Sequence, residues 1–221
     1  MTRNKTRNSE ILELLNKVEP FEVIASPIAT HYIATINDAF EDSRQFEDLV
    51  RVLENARQGD FVEIRLTTPG GTLESVLPLL AAMDATHAQV VVHAISDVSS
   101  AGTLVLLAAD DAYINPYITI MFHQPRFGTA GPSSSVEALV NHTMKSSKAL
   151  LQDYYKDFFS TEEIEQMLAG RDFYMDKDEF DERYEYRIAI REERAKDMEE
   201  KLVALAEEQS KSVKKGNKKG K

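Results

Sequence analysis

The 221-residue chain has no cysteine and no tryptophan. Without a thiol, disulfides, a cysteine nucleophile and Cys-ligated zinc or iron–sulfur centres are all excluded. No apolar run approaches the roughly 20 residues that cross a bilayer, so no membrane association is expected. The start is basic, with Arg3, Lys5 and Arg7, but it runs into Glu10, Glu13 and Asn16 rather than an apolar stretch. It therefore does not read as a secretory leader. A Gly-x-x-x-x-Gly-Lys-Ser/Thr phosphate loop is missing, so any use of ATP must belong to a partner. Positive charge is scarce: 26 Lys+Arg stand against 37 Asp+Glu, and the net charge of −11 argues against a general nucleic-acid binder. A cytoplasmic protein with no cofactor and no metal is the expectation.

What remains is an ordinary globular composition, 43% hydrophobic and 29% charged, long enough for one domain with appendages. The acidity is uneven. Lys211 to Lys221 holds six lysines and no acid. Such a tail cannot bury anything and is expected to be disordered, as a solubilising end or a tether to an acidic partner. The expected organisation is a helical extension over 1–20, a main domain over 21–185, a charged helical extension over 186–210 and the Lys-rich tail over 211–221.

Hydrophobic periodicity divides the main domain further. Phe46, Leu49, Val50 and Leu53 recur at helical spacing within 43–58, and Gly59 ends that helix. Phe61 to Thr67 reads as a strand, Thr68-Pro69-Gly70-Gly71 as a turn, and Leu73, Val76, Leu77, Leu80 and Met83 as the face of the next helix. Gln89 to Ile95 is apolar on both faces, as buried parallel strands are. A turn at Ser96 to Ser100 leads into Ala101 to Ala109, which is apolar all round and so expected to be buried on every side. Short strands are expected over 112–115 and 118–122. A long helix follows from about Val136 to Phe159, and Ser160-Thr161-Glu162-Glu163 is a capping box that opens another. Strands alternating with helices through tight turns predict a layered α/β domain. Past Tyr184 the pattern is charged and thinly apolar, which predicts an exposed or partner-docked helix.

Three segments place chemistry at strand ends. Ser99-Ser100-Ala101-Gly102 puts a hydroxyl at the start of a buried helix, where free N–H groups and the helix dipole favour developing negative charge. Thr68-Pro69-Gly70-Gly71 allows a backbone N–H to point into a cleft. Met121-Phe122-His123-Gln124-Pro125 supplies an imidazole, the usual base for a serine nucleophile near neutrality. Taken singly, each segment also has an ordinary structural use: a helix cap, a turn, and one of five histidines.

In order along the chain, these segments resemble the ClpP family, the serine peptidase subunit of the Clp protease. The family pattern is Ser-Pro-Gly-Gly, a nucleophile turn of Ala-Ser-Met-Gly/Ala, and Met-Ile-His-Gln-Pro. A fourth segment, Arg171-Asp172-Phe173-Tyr174-Met175, is similar to the family's Arg-Asp-x-Phe/Tyr-Met/Leu, with Glu179 further on. Tyr32 to Asp42 resembles its first strand and the turn that follows. The resemblance covers roughly residues 30–180. It implies Ser100 as nucleophile, His123 as general base and Asp172 as the group orienting the imidazole. It also implies an oxyanion hole made by the backbone N–H groups of Gly71 and Ala101. Ser99 is the alternative nucleophile, and Asp176 and Asp178 are nearby alternatives to Asp172.

The implied fold is the crotonase-like α/β spiroid of that family, with the long helix as a protruding handle. In the family that handle joins two stacked seven-membered rings into a chamber that admits only unfolded chains. The expected function is therefore a serine endopeptidase that hydrolyses peptide bonds of unfolded proteins or peptides. It would act through a Ser-His-Asp triad and an acyl-enzyme, as a homo-oligomeric ring with an ATP-dependent unfoldase as partner. A crotonase-fold acyl-thioester enzyme and a catalytically silent ring subunit are the alternatives. The sequence departs from the family pattern at Thr67-Thr68, where Asn-Ser is common, and at Phe180 and Tyr184. A charged helix-like segment also stands where a final apolar stretch is usual.

Overall fold

In the computed structural model, residues 29–216 are described, with side chains to residue 202. The helix expected over 1–20 and the last five residues lie outside that range. Strand β1 (His31–Ile36) is followed by a 3-10 turn (Ser43–Phe46), α1 (Glu47–Asn55), β2 (Phe61–Thr68), α2 (Leu73–Ala85) and β3 (Gln89–Ser99). Then come α3 (Ala101–Ala108), β4 (Asp111–Ile114), β5 (Ile120–Phe122), α4 (Ser133–Tyr155), α5 (Thr161–Leu168), β6 (Phe173–Met175) and α6 (Lys177–Gly216).

The strands form one sheet in the order β1-β2-β3-β5-β6, with β4 paired to β3 off that path. All pairs are parallel except β5 with β6. β3 is the pivot. Its first half pairs with β4 through Val91–Ala94, and its end pairs with β5 through Val98 and Ser99. The strand expected to stop at Ile95 thus continues to Ser99, because its far end gains a fresh neighbour. Burial follows the pattern: Val62, Ile64, Leu66, Val90, Val92, Ala94 and Val98 fill the sheet, and Leu104 to Leu107 bury α3 almost completely.

The helix expected over 43–58 splits into the 3-10 turn and α1 and stops at Asn55, capped by the Ala56 N–H on the Val52 carbonyl rather than by Gly59, whereas the cap expected at Ser160 forms as written. Ser160 accepts from the Glu163 N–H while the Glu163 side chain reaches back to the Ser160 N–H, closing the capping box that opens α5. The long helix begins at Ser133, three residues before the expected start, and ends at Tyr155, where Lys156 turns extended. Phe158 and Phe159 then pack with Phe122 and Tyr155 in an aromatic cluster rather than continuing the helix. The first two-thirds of α4 has no buried residue; only Leu151 and Tyr155, near its end, are buried. A helix of this length extends about 35 Å at 1.5 Å per residue; Thr143, Ser147 and Leu150 on one face line the cavity beside Ser100, and the opposite face is exposed.

The C-terminal helix α6 joins the core more deeply than its charge pattern suggests. Phe180 and Tyr184 are buried, and so is Arg187, at 7% exposure. Arg187 donates to the carbonyls of Tyr154 at 2.6 Å and Leu107 at 2.7 Å, near the C-terminal ends of α4 and α3. A cation there meets two negative helix ends at once, which compensates its burial without a carboxylate. Beyond Ile190 the residues with described side chains are exposed, and the helix runs on to Gly216, into the segment expected to be disordered.

Candidate active site

β2 ends where the chain must turn back over the sheet, and Thr68-Pro69-Gly70-Gly71 makes that turn. Thr68 is buried and pins it: its hydroxyl donates to the Asp38 carbonyl and accepts from the Gly70 N–H. Gly70 has φ of 88°, and a Cβ on it would lie 2.6 Å from both the Cβ of Ser100 and the carbonyl oxygen of Ser99. Only glycine lets the two turns approach so closely. Gly71 forms a parallel bridge with Phe40, in which the Phe40 N–H donates to the Gly70 carbonyl and the Thr72 N–H to the Phe40 carbonyl. That pattern uses the groups on either side of Gly71 and directs the Gly71 N–H away from Phe40.

Ser100 stands between β3 and α3 with φ of 57° and ψ of −126°. This conformation is costly for a non-glycine residue and is held by its surroundings. The Ser100 N–H donates to the Met121 carbonyl, and the Ser100 carbonyl accepts from the hydroxyl of Thr103, which also bonds the buried Tyr155 hydroxyl at 2.7 Å. The strained turn thrusts the Ser100 side chain out at the N-terminus of α3. The first helical N–H there, that of Ala101, has no partner within the helix.

His123 follows β5 directly. Its Nε2 lies 2.7 Å from the Ser100 Oγ, a hydrogen bond between a nucleophile and a base. Ser99 is the last residue of β3 and makes no such contact. The antiparallel register pairs Phe122 with Phe173, which sets His123 opposite Asp172 one step further along. The two do not hydrogen-bond. The His123 Nδ1 is buried without a partner, and Asp172 instead has its Oδ2 3.9 Å from an Arg126 Nη2. The structure thus brings Ser100 and His123 into contact and places Asp172 beside them, turned toward Arg126. Asp176 caps the start of α6 through the Glu179 N–H.

Burial is the main cause that holds the His123 pKa below its ordinary value; the Arg126 cation adds to this and the Asp172 charge opposes it. The imidazole is accordingly neutral at pH 7, able to accept a proton. Gly71, Ser100, Ala101 and His123 line one cavity of about 330 Å³, together with Glu74, Arg126 and Phe127, and Leu150 and Tyr155 from α4. A cavity of about 860 Å³ between α4, α5 and α6 is larger, but it holds no nucleophile–base pair. Among the described residues no group of three or more His, Asp or Glu side chains is placed to hold a metal ion, and no helix is long and apolar enough to cross a membrane.

Sequence reasoning passed over Arg126, Thr103 and Arg187, and it took Thr68 only as part of the turn and a departure from the family pattern, not as its anchor on Asp38. Arg126 had a legible signal, a cation three residues past the histidine. The other three act through contacts 30 to 80 residues away in sequence.

With this geometry established, likeness to known proteins carries weight. The chain is 26% identical over 142 residues to the ATP-dependent Clp protease proteolytic subunit 2 of Pseudomonas aeruginosa, an alignment covering 62% of this chain and 71% of that protein. The family model described as Clp protease matches residues 29–188, which takes in both turns, the Ser100–His123 pair and Asp172. A match across most of the chain, on the fold just described, shows that the protein belongs to the Clp protease family.

Proposed function

We propose that this chain is a serine endopeptidase in which Ser100 is the nucleophile, His123 the general base and Asp172 the orienting carboxylate. The observation that carries the reading is the 2.7 Å hydrogen bond from the Ser100 Oγ to the His123 Nε2, at the start of a buried helix. Serine at its own pKa is a poor nucleophile. As Oγ attacks the scissile carbonyl carbon, its proton passes to Nε2 and the carbonyl π electrons move to oxygen. The N–H groups of Gly71 and Ala101 stabilise that oxyanion, each worth on the order of 3–4 kcal/mol in comparable sites. The carbon–nitrogen bond then breaks, Nε2 returns its proton to the leaving amine, and an ester to Ser100 remains. Water, deprotonated by the same imidazole, hydrolyses that ester and regenerates the hydroxyl. Asp172 would accept a hydrogen bond from Nδ1–H and stabilise the imidazolium; in the structure it stands opposite His123 but is not yet bonded to it.

The substrates in this reading are unfolded proteins or peptides, because the acyl-transfer chemistry at Ser100 suits a peptide carbonyl and the exposed face of α4 suits assembly into a chamber. The chain acts as a homo-oligomeric ring, two rings stacking through α4, in the cytoplasm, with an ATP-dependent unfoldase as partner. The Pseudomonas relative, named as an ATP-dependent protease subunit, supports the last point.

Labelling with a fluorophosphonate probe tests the assignment. The wild type is expected to gain one adduct on the peptide containing Ser100, and Ser100→Ala none, by mass spectrometry. Absence of the adduct in the wild type would leave an acyl-thioester enzyme or a silent subunit as the better reading.

A further inference from the structure

We propose that Arg126 determines specificity: it holds Asp172 away from His123 until a carboxylate of the peptide substrate takes its guanidinium, so that acidic substrates complete the triad that cleaves them. The proposal rests on the serine-peptidase reading and adds to it both a substrate preference and the residue responsible.

Three observations lead there. The His123 Nδ1 is buried with no partner, although the strand register sets a carboxylate, Asp172, opposite His123 and its charge acts on the imidazole. That carboxylate is instead paired with Arg126, at 3.9 Å, too long for a hydrogen bond. Arg126 is 78% exposed, so its five N–H donors are mostly unused, and it lines the cavity that contains Ser100. A peptide placed with its scissile carbonyl at Ser100 brings its neighbouring side chains past that guanidinium.

The exchange conserves charge. Arg126 leaves one carboxylate for another, which can meet it bidentately, and Asp172 gains a charge-assisted bond to Nδ1–H. No proton or covalent bond need change hands. Charged and titratable groups around the imidazole come from each neighbouring element. They are Asp172 ahead of β6, Arg126 on the same segment, Glu74 across the cavity in the first turn of α2, and Tyr155 on α4, whose hydroxyl is engaged with Thr103. Burial and Arg126 lower the imidazole pKa, and Asp172 raises it. Moving Asp172 onto Nδ1 therefore raises it further.

The experiment uses the full-length protein, its Arg126→Gln and Arg126→Lys variants, and peptide pairs that differ only by Asp or Asn at each position flanking the cleaved bond. In parallel, ¹³C-labelled histidine NMR follows the His123 titration, assigned with His123→Gln. The wild type is expected to cleave the Asp member of at least one pair about fivefold faster than its Asn partner, the scale of an exposed charge pair. Arg126→Gln should lose that preference and raise kcat on the Asn peptides by about tenfold with KM little changed. Its His123 midpoint should rise. Arg126→Lys should keep part of the preference. With Ser100 still labelled by fluorophosphonate, an unchanged Asp/Asn ratio, a fall in kcat or an unmoved His123 midpoint in Arg126→Gln overturns this proposal alone. Absence of both labelling and cleavage overturns the peptidase reading and this proposal with it.

Discussion

Two glycines and one strained serine set the distances on which the candidate chemistry depends. Gly70→Ala forces a Cβ against Ser100 and Ser99 at a backbone φ that alanine rarely adopts. It is expected to abolish fluorophosphonate labelling and lower stability by at least 1–3 kcal/mol, read by urea denaturation and by mass spectrometry of the adduct. The histidine has its own signature. Because burial holds the His123 pKa below 6.5, more than half of the imidazole is neutral at pH 6.5. The acid limb of kcat/KM, which reports the free enzyme, should have its midpoint below 6.5, and a midpoint above it would contradict the environment described. The same shift has a stability sign. Between the folded and unfolded pKa values the unfolded chain binds more protons, so stability rises with pH through that window and falls on acidification below about 6.5.

At the scale of elements, the nucleophile turn is supported from behind. Thr103, in the first turn of α3, gives its hydroxyl hydrogen to the Ser100 carbonyl and takes a bond from the Tyr155 hydroxyl on α4. Thr103→Val removes both and leaves the Tyr155 hydroxyl buried without a partner. A loss of about 1–3 kcal/mol is expected, with a slower labelling rate at Ser100, by denaturation and probe kinetics. Arg187 does comparable work for α6, linking it to the ends of α3 and α4; burial pushes its guanidinium pKa down to about 10. Arg187→Met should cost about 3 kcal/mol, two charged hydrogen bonds' worth, in a denaturant titration, and Arg187→Lys should recover part of it. The spacing of apolar residues made these helices legible, since it records which face is buried. It could not show Arg187 turning inward, because an arginine in a run of Glu and Arg is written the same way whether it meets solvent or two helix termini.

For the whole molecule, α4 is the least satisfied surface. Leu139 is 46% exposed and Met144 58% on that helix. Stacked assembly through this helix would bury them. The wild type should therefore scatter light as a large oligomer at micromolar concentration, while Leu139→Asp or Met144→Asp should shift it to smaller species with the far-UV circular dichroism unchanged. Wild-type protein that is monomeric at that concentration would remove the ring from the proposed function. Composition and motif order had already supplied an α/β domain and a hydroxyl, an imidazole and a carboxylate in sequence. A strand apolar on both faces and a helix without a polar side mark buried layers by themselves, whereas the hydroxyl, imidazole and carboxylate gained their roles only from the order of four segments and the family pattern it resembles.

Local patterns were thus sufficient for most of the elements and for the residue types at their ends, since periodicity and turn chemistry are properties of neighbouring residues; β6 escaped them because its three residues become a strand only by pairing with β5. The tertiary structure alone decided which serine meets the histidine, since Ser99 and Ser100 differ only in how the end of β3 bends. It alone decided, too, that Asp172 faces His123 across a strand pair while leaning toward Arg126. These are through-space relations among segments up to about 70 residues apart, and free energy at that range depends on distance and burial, neither of which a linear order of residues records.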